Sequence, residues 1–63
     1  MRIDRKKLII AMMDRDMNTI QLAELTGLSR ATISGIRCGK SCAKDTLDRI
    51  SKALEINVTE ILA

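Results

Sequence analysis

The chain has 63 residues and a formal net charge of +3, which fits one small domain with a slightly basic surface. It contains no histidine, no tyrosine and no glycine-rich phosphate loop, so the sequence does not indicate an enzyme. Neither a membrane-spanning apolar run nor a secretory signal is recognisable, and we therefore expect a cytoplasmic protein without a membrane partner.

Two cysteines, Cys38 and Cys42, are close enough in sequence to suggest a redox pair or half of a metal site. A structural zinc site needs about four ligands, and the chain offers no further cysteine or histidine. We predict two reduced thiols, no metal and no cofactor. A regulatory disulfide is the less favoured alternative.

The first predicted helix runs from about Arg5 to Arg15, with Asp4 as its N-cap. One face carries residues suited to cover the core, namely Leu8, Ala11 and Met12. A second apolar face carries Ile9, Ile10 and Met13. This helix is therefore apolar around more of its circumference than one core face requires, which leaves two interpretations open. Either a small core wraps more of the helix, or the second face binds a protein partner.

The segment from Asn18 to Lys40 predicts two short helices joined by a sharp turn, which is a helix-turn-helix. Asn18 and Gln21 have the spacing of a capping box at the start of the first helix. Gly27 ends that helix, because a residue without a Cβ adopts the left-handed conformation at low cost. Ser29 then caps the second helix.

The residues between these caps suit two helices that cross tightly. Ala23 is small enough to lie at a crossing, while Leu22 with Leu25 and Ile33 with Ile36 have spacings that place each pair on one helix face. Any helical hairpin shows part of this pattern. The joint presence of the small residue, the glycine and the branched apolar residues favours the helix-turn-helix.

Two further elements are predicted after the motif. A helix from about Lys44 to Leu54 carries its buried stripe on Leu47, Ile50, Ala53 and Leu54. Asn57 and Glu60 repeat the capping-box spacing, so a short fifth helix is expected near the C-terminus. The fold class is therefore all-α, with five helices in one domain over residues 1–63.

Two blocks of sequence, LAELTGLSRATISGIRCGK and TLDRISKALEINVTEIL, resemble the phage repressor and Cro family of helix-turn-helix DNA-binding domains, also called XRE-type. The resemblance covers nearly the whole chain and implies a compact repressor-like domain, bacterial or phage-encoded and associated with the nucleoid. It also implies a sequence-specific transcriptional regulator of double-stranded DNA, a repressor, which binds two half-sites roughly 34–36 Å apart as a homodimer.

By the same resemblance, the helix from about Ser29 to Arg37 enters the major groove of DNA. Its exposed positions imply base contacts from Arg30, Ala31, Thr32, Ser34 and Gly35. Arg30 is the strongest candidate, because a guanidinium bonds guanine O6 and N7 together, with a phosphate contact as its alternative. Gly35 indicates either a close approach of DNA or a glycine that is merely tolerated.

Phosphate contacts are expected on both sides of this helix, where the run from Leu25 to Lys44 contains no acidic residue. The residues implied by the resemblance are Asn18, Thr19, Arg37, Lys40, Ser41 and Lys44. Asn18 and Thr19 open a helix and would offer backbone N–H groups, whereas the lysines and arginine would offer charge.

Some positions depart from the family pattern. Asp16 and Glu55 stand where helix-ending glycines are usual, which predicts two left-handed residues with a Cβ and some loss of stability. In the family the closing region contributes to dimerisation, and here Ile61 and Leu62 are the large apolar residues available for it. A second function class also stays open, a protein-binding regulatory module or antitoxin-type partner that uses the apolar first helix.

Overall fold

The computed structural model describes residues 2–63, which form four α-helices and a closing 3-10 helix. The elements are α1 (Arg5–Asp14), α2 (Thr19–Thr26), α3 (Arg30–Arg37), α4 (Lys44–Leu54) and the 3-10 helix Val58–Glu60. The predicted all-α fold is confirmed. The fifth helix is a single 3-10 turn, because its three residues cannot complete a turn of α-helix.

The predicted N-caps are all in place. The Asn18 side chain accepts from the Gln21 N–H at 2.8 Å, and the Asn18 N–H donates to Gln21 Oε1 at 3.0 Å. Ser29 Oγ accepts from the Thr32 N–H at 3.1 Å. Asp4 caps α1 through the Lys7 N–H, which lowers the pKa of Asp4. A lowered folded-state pKa means that this cap stabilises α1 at neutral pH and is lost as the pH falls.

Left-handed residues end the helices where the sequence predicted them. Gly27 follows α2 with a φ of 74°, and Asp16 and Glu55 follow α1 and α4 with φ angles of 49° and 56°. Glu55 is also held by Arg15, whose Nη1 lies 2.6 Å from Glu55 Oε2 and whose Nη2 donates to the Glu55 carbonyl at 3.3 Å. The ends of α1 and α4 are thereby joined.

One hydrophobic core contains residues from every element except the 3-10 helix. Its buried side chains are Ile3, Leu8, Met12, Leu22, Ala23, Ile33, Ile36, Leu47, Ile50, Leu54 and Ile61. α2 packs against both α3 and α4, and α1 packs against α3. Within residues 2–63, no helix combines the length and the apolarity needed to cross a membrane.

The prediction for Leu25 was wrong, because its side chain is 63% exposed. The core face of α2 is completed instead by Thr26, which is buried and whose hydroxyl donates to the Leu22 carbonyl at 2.8 Å. The hydroxyl also accepts from the Leu28 N–H at 3.3 Å, so this polar side chain is satisfied inside the fold.

The proposed dimer role of Ile61 was also wrong, because its side chain is fully buried. Its carbonyl accepts from the Asp4 N–H at 2.7 Å, and next to it Ile3 and Leu62 form an antiparallel bridge. The Ala63 N–H donates to the Arg2 carbonyl at 3.2 Å. The first and last described residues therefore pair, next to the buried Ile61.

Replacing Ile61 by valine tests its place in the core. We expect Ile61→Val to lower the free energy of unfolding by about 0.5–1.5 kcal/mol, whereas Leu25→Gln changes it by less than about 0.5 kcal/mol. Urea unfolding followed by far-UV circular dichroism measures both. Equal losses for the two variants, or an Ile61→Val midpoint that depends on protein concentration, would contradict the burial of Ile61 within one protomer.

Candidate nucleic-acid interface

α3 turns an apolar face inward and a polar face outward. Ile33 and Ile36 are buried, while Arg30, Ala31 and Ser34 are exposed. This division follows from the helical period, since residues three apart lie on the same face. Thr32 is exposed as well, so four of the five predicted base-contact residues lie on the surface.

Two of the predicted base-contact positions are partly occupied by contacts within the chain. The Thr32 hydroxyl lies 2.8 Å from the Ser29 hydroxyl in a hydrogen bond, beside the cap of α3. Gly35 is half-buried, because the side chain of Lys40 lies across it. A Cβ built at Gly35 would be 3.2 Å from Lys40 Cδ.

The N-terminus of α2 lies beside the C-terminus of α3. Arg37 Nη1 donates to the Thr19 hydroxyl at 2.7 Å and so joins the two motif helices. In the part of the chain that the structure describes, Arg37 Nε is buried and has no hydrogen-bond partner. The Asn18 N–H is already bonded to Gln21, whereas Thr19, as the first helical residue, has a backbone N–H without an intrahelical acceptor.

The start of α4 lies on the other side of α3 and lacks a side-chain cap. Its N-cap is Ala43, which makes no capping hydrogen bond, and its first residue is Lys44. The helix dipole opposes the charge of Lys44 and favours that of Asp45 next to it, which also pairs with Arg49 at 3.1 Å. Lys40, Ser41 and Lys44 are all exposed here, which leaves free N–H groups and positive charge together on the surface.

The two cysteines follow α3 in different environments. Cys38 is exposed, whereas Cys42 is half-buried against the core. Burial raises the pKa of the Cys42 thiol, which keeps it neutral near physiological pH. Over residues 2–63, no three metal-ligating side chains come together.

The predicted partner face of α1 divides into two separate surfaces. Ile9 is half-buried and Met13 is 69% exposed, and both line a groove that also contains Ile20 from α2. Ile10 is 58% exposed and lies in a different groove, beside Ile56. Sequence analysis missed Ile20, since the packing of α2 on α3 and α4 decides which of its apolar residues point outward.

The profile of the family described as Cro/C1-type HTH DNA-binding domain matches residues 7–63. The chain belongs to this family. The resemblance drawn from the sequence is therefore confirmed, and α2 and α3 are the helix-turn-helix of a Cro/C1-type domain. Comparison with curated proteins gives no match.

Solved structures share the Cro/C1-type fold. The restriction-modification controller protein C.AhdI from Aeromonas hydrophila is 23% identical, with a TM-score of 0.83 over 89% of this chain and 86% of that chain. PhpD with cadmium is 25% identical with a TM-score of 0.85, and a mutant hydroxyethylphosphonate dioxygenase is 25% identical with a TM-score of 0.88. Each of these two matches covers all of this chain but only 14% of the longer chain. The same fold is thus part of much longer chains, one of them a dioxygenase, and fold alone does not fix function.

Removing the Thr19 hydroxyl tests the link between the motif helices. We expect Thr19→Val to lower the free energy of unfolding by roughly 1.5 kcal/mol, because the half-buried Arg37 loses a charged hydrogen bond. Thr19→Ser keeps the hydroxyl and is the matched control. Thermal unfolding followed by circular dichroism compares them, and an equal loss in both variants would show that the methyl group, and not the hydrogen bond, carries the effect.

Proposed function

We propose that this Cro/C1-type domain is a sequence-specific regulator of transcription that binds double-stranded DNA, and that it acts as a repressor. One observation carries the proposal. The polar face of α3 contains no acidic residue and lies between the start of α2, where Arg37 contacts Thr19, and the uncapped start of α4 at Lys44. α3 would enter the major groove, and the two helix starts would lie against the phosphates on either side.

The bases would be read mainly by three residues of α3. Arg30 is exposed at the start of the helix, where its guanidinium can bond guanine O6 and N7. Ala31 offers a methyl group to a thymine methyl, and Ser34 offers a hydroxyl. Thr32 contributes less to this reading, because its hydroxyl is bonded to Ser29.

The phosphates would be held from both sides of α3. On one side are the Thr19 N–H and Arg37, and on the other are Ser41, Lys44 and the uncapped start of α4. Phosphate contacts position the protein without selecting a sequence, and they release counterions, so binding should weaken steeply as salt is added.

Two half-sites require two copies of the domain. The longest dimension of the fold is 22 Å, whereas half-sites one helical turn apart are separated by roughly 34–36 Å. One copy would therefore occupy one half-site, and a homodimer on DNA would read both.

Replacing Arg30 tests the proposed reading of bases. We expect Arg30→Ala to lose about 1–3 kcal/mol of binding free energy on the preferred duplex and little on a scrambled duplex. Lys52→Ala removes the same charge from α4, away from α3, and should leave both affinities nearly unchanged. Fluorescence anisotropy across a salt series, on a duplex selected from a random library, measures this. Equal binding of wild-type protein to both duplexes would overturn the proposed function.

Partner binding is the second candidate function, and the exposed groove of Ile9, Met13 and Ile20 favours it. An apolar segment of a regulatory protein would bind there. The same groove is lined by Thr19 and Arg37, so the test uses an uncharged replacement: we expect Met13→Gln to impair regulation of a reporter gene in cells while DNA affinity in vitro is kept. Leu25→Gln makes a similar change at another exposed apolar residue and is the control. Normal regulation by Met13→Gln would rule this candidate out.

A further inference from the structure

Gly35 lies in the interior of α3, where glycine is less favourable than alanine because it loses more backbone conformational entropy when the helix forms. Its backbone does not need a glycine. Among the glycines of residues 2–63, positive φ angles occur at Gly27 and Gly39, whereas Gly35 has an ordinary helical conformation. A Cβ at this position would instead meet a neighbouring side chain.

The neighbouring side chain is that of Lys40. The three heavy atoms nearest to a Cβ built at Gly35 are Cδ, Cε and Cγ of Lys40, at 3.2, 3.9 and 4.0 Å. The middle of the lysine side chain thus lies against the position of an alanine methyl group, at a distance shorter than an ordinary van der Waals contact. Since Lys40 is flexible and exposed, an alanine would push this side chain outward by a few tenths of an ångström and leave the helix intact.

The backbone after α3 holds Lys40 in this position. The Lys40 N–H donates to the Gly35 carbonyl at 3.1 Å, and the Cys38 N–H donates to the same carbonyl at 3.1 Å. Between them, Gly39 has a φ of 100° and reverses the chain. The reversed chain therefore places Lys40 against α3, where it lines a groove together with Ala31 and Thr32.

We propose that Gly35 is a positioning residue and that Lys40 reads a base, a guanine, through this gap in α3. The proposal rests on the proposed function, since it requires α3 in the major groove. Ala31 and Gly35 leave this part of the helix without a long side chain of its own. A lysine ammonium bonds guanine O6 and N7, so Lys40 would supply the specificity that the two small residues do not.

The proposal predicts that one variant is more stable than the wild type but less selective for DNA sequence. Gly35→Ala should raise the thermal midpoint of unfolding, because alanine favours the helix. It should also reduce discrimination between DNA sequences, because the methyl group moves Lys40 away from the base. In a Lys40→Ala background the same change should raise stability with no further effect on DNA binding.

The test begins with selection from a random duplex library by the wild type, Gly35→Ala, Lys40→Ala and Lys44→Ala. The wild type should select a motif with a guanine that the Gly35 and Lys40 variants no longer require, while the rest of the motif is kept. Anisotropy then compares this duplex with one in which that guanine pair is replaced. The wild type should discriminate roughly 5–150-fold, and Gly35→Ala, Lys40→Ala and the double variant only a few-fold. Lys44→Ala, the phosphate control, should weaken both duplexes equally.

Two outcomes overturn this inference and leave the proposed function standing. Lys40→Ala could select the wild-type motif and weaken all duplexes equally, with a salt slope reduced by about one, which identifies a phosphate contact. Gly35→Ala could keep the wild-type discrimination, which shows that the glycine does not position Lys40. A wild-type protein that selects no motif would instead overturn both the proposed function and this inference.

Discussion

The connection between α2 and α3 is the constraint on which the rest of the molecule depends. Gly27 is left-handed and turns the chain. The buried Thr26 hydroxyl donates to the Leu22 carbonyl and accepts from the Leu28 N–H. Arg49 Nη1 donates to the Thr26 carbonyl at 3.4 Å and so ties the turn to α4. Because α3 starts directly after this turn, the turn decides which face of α3 meets the core. It thereby decides which residues α3 turns outward.

Electrostatics divides the same small fold into two parts. The two ion pairs among residues 2–63 join Arg15 to Glu55 and Arg49 to Asp45, and both involve α4 or its end. Arg30 and Lys44 belong to neither pair, and they lie at the starts of α3 and α4. The positive charge of Arg30 and Lys44 therefore stays available beside the helix-turn-helix.

Sequence reasoning succeeded where the determining interactions are local. Caps such as Asn18 and left-handed residues such as Asp16 depend on neighbours within a few positions, so their spacing predicts them. It failed for Leu25 and Ile61, because a periodic pattern identifies apolar residues without showing which of them a small core can enclose. The contact between Lys40 and Gly35 was also beyond sequence reasoning, since it depends on the path of a non-periodic loop.

The pairing of Ile3 with Leu62 and of Arg2 with Ala63 brings the first and last described residues together at one point on the surface. A domain whose entry and exit coincide can be inserted as a cassette into a longer polypeptide without separating the flanking segments. The architecture is therefore portable. Such portability is compatible with the occurrence of the same fold as 14% of a dioxygenase chain and as 86% of the chain of a controller protein.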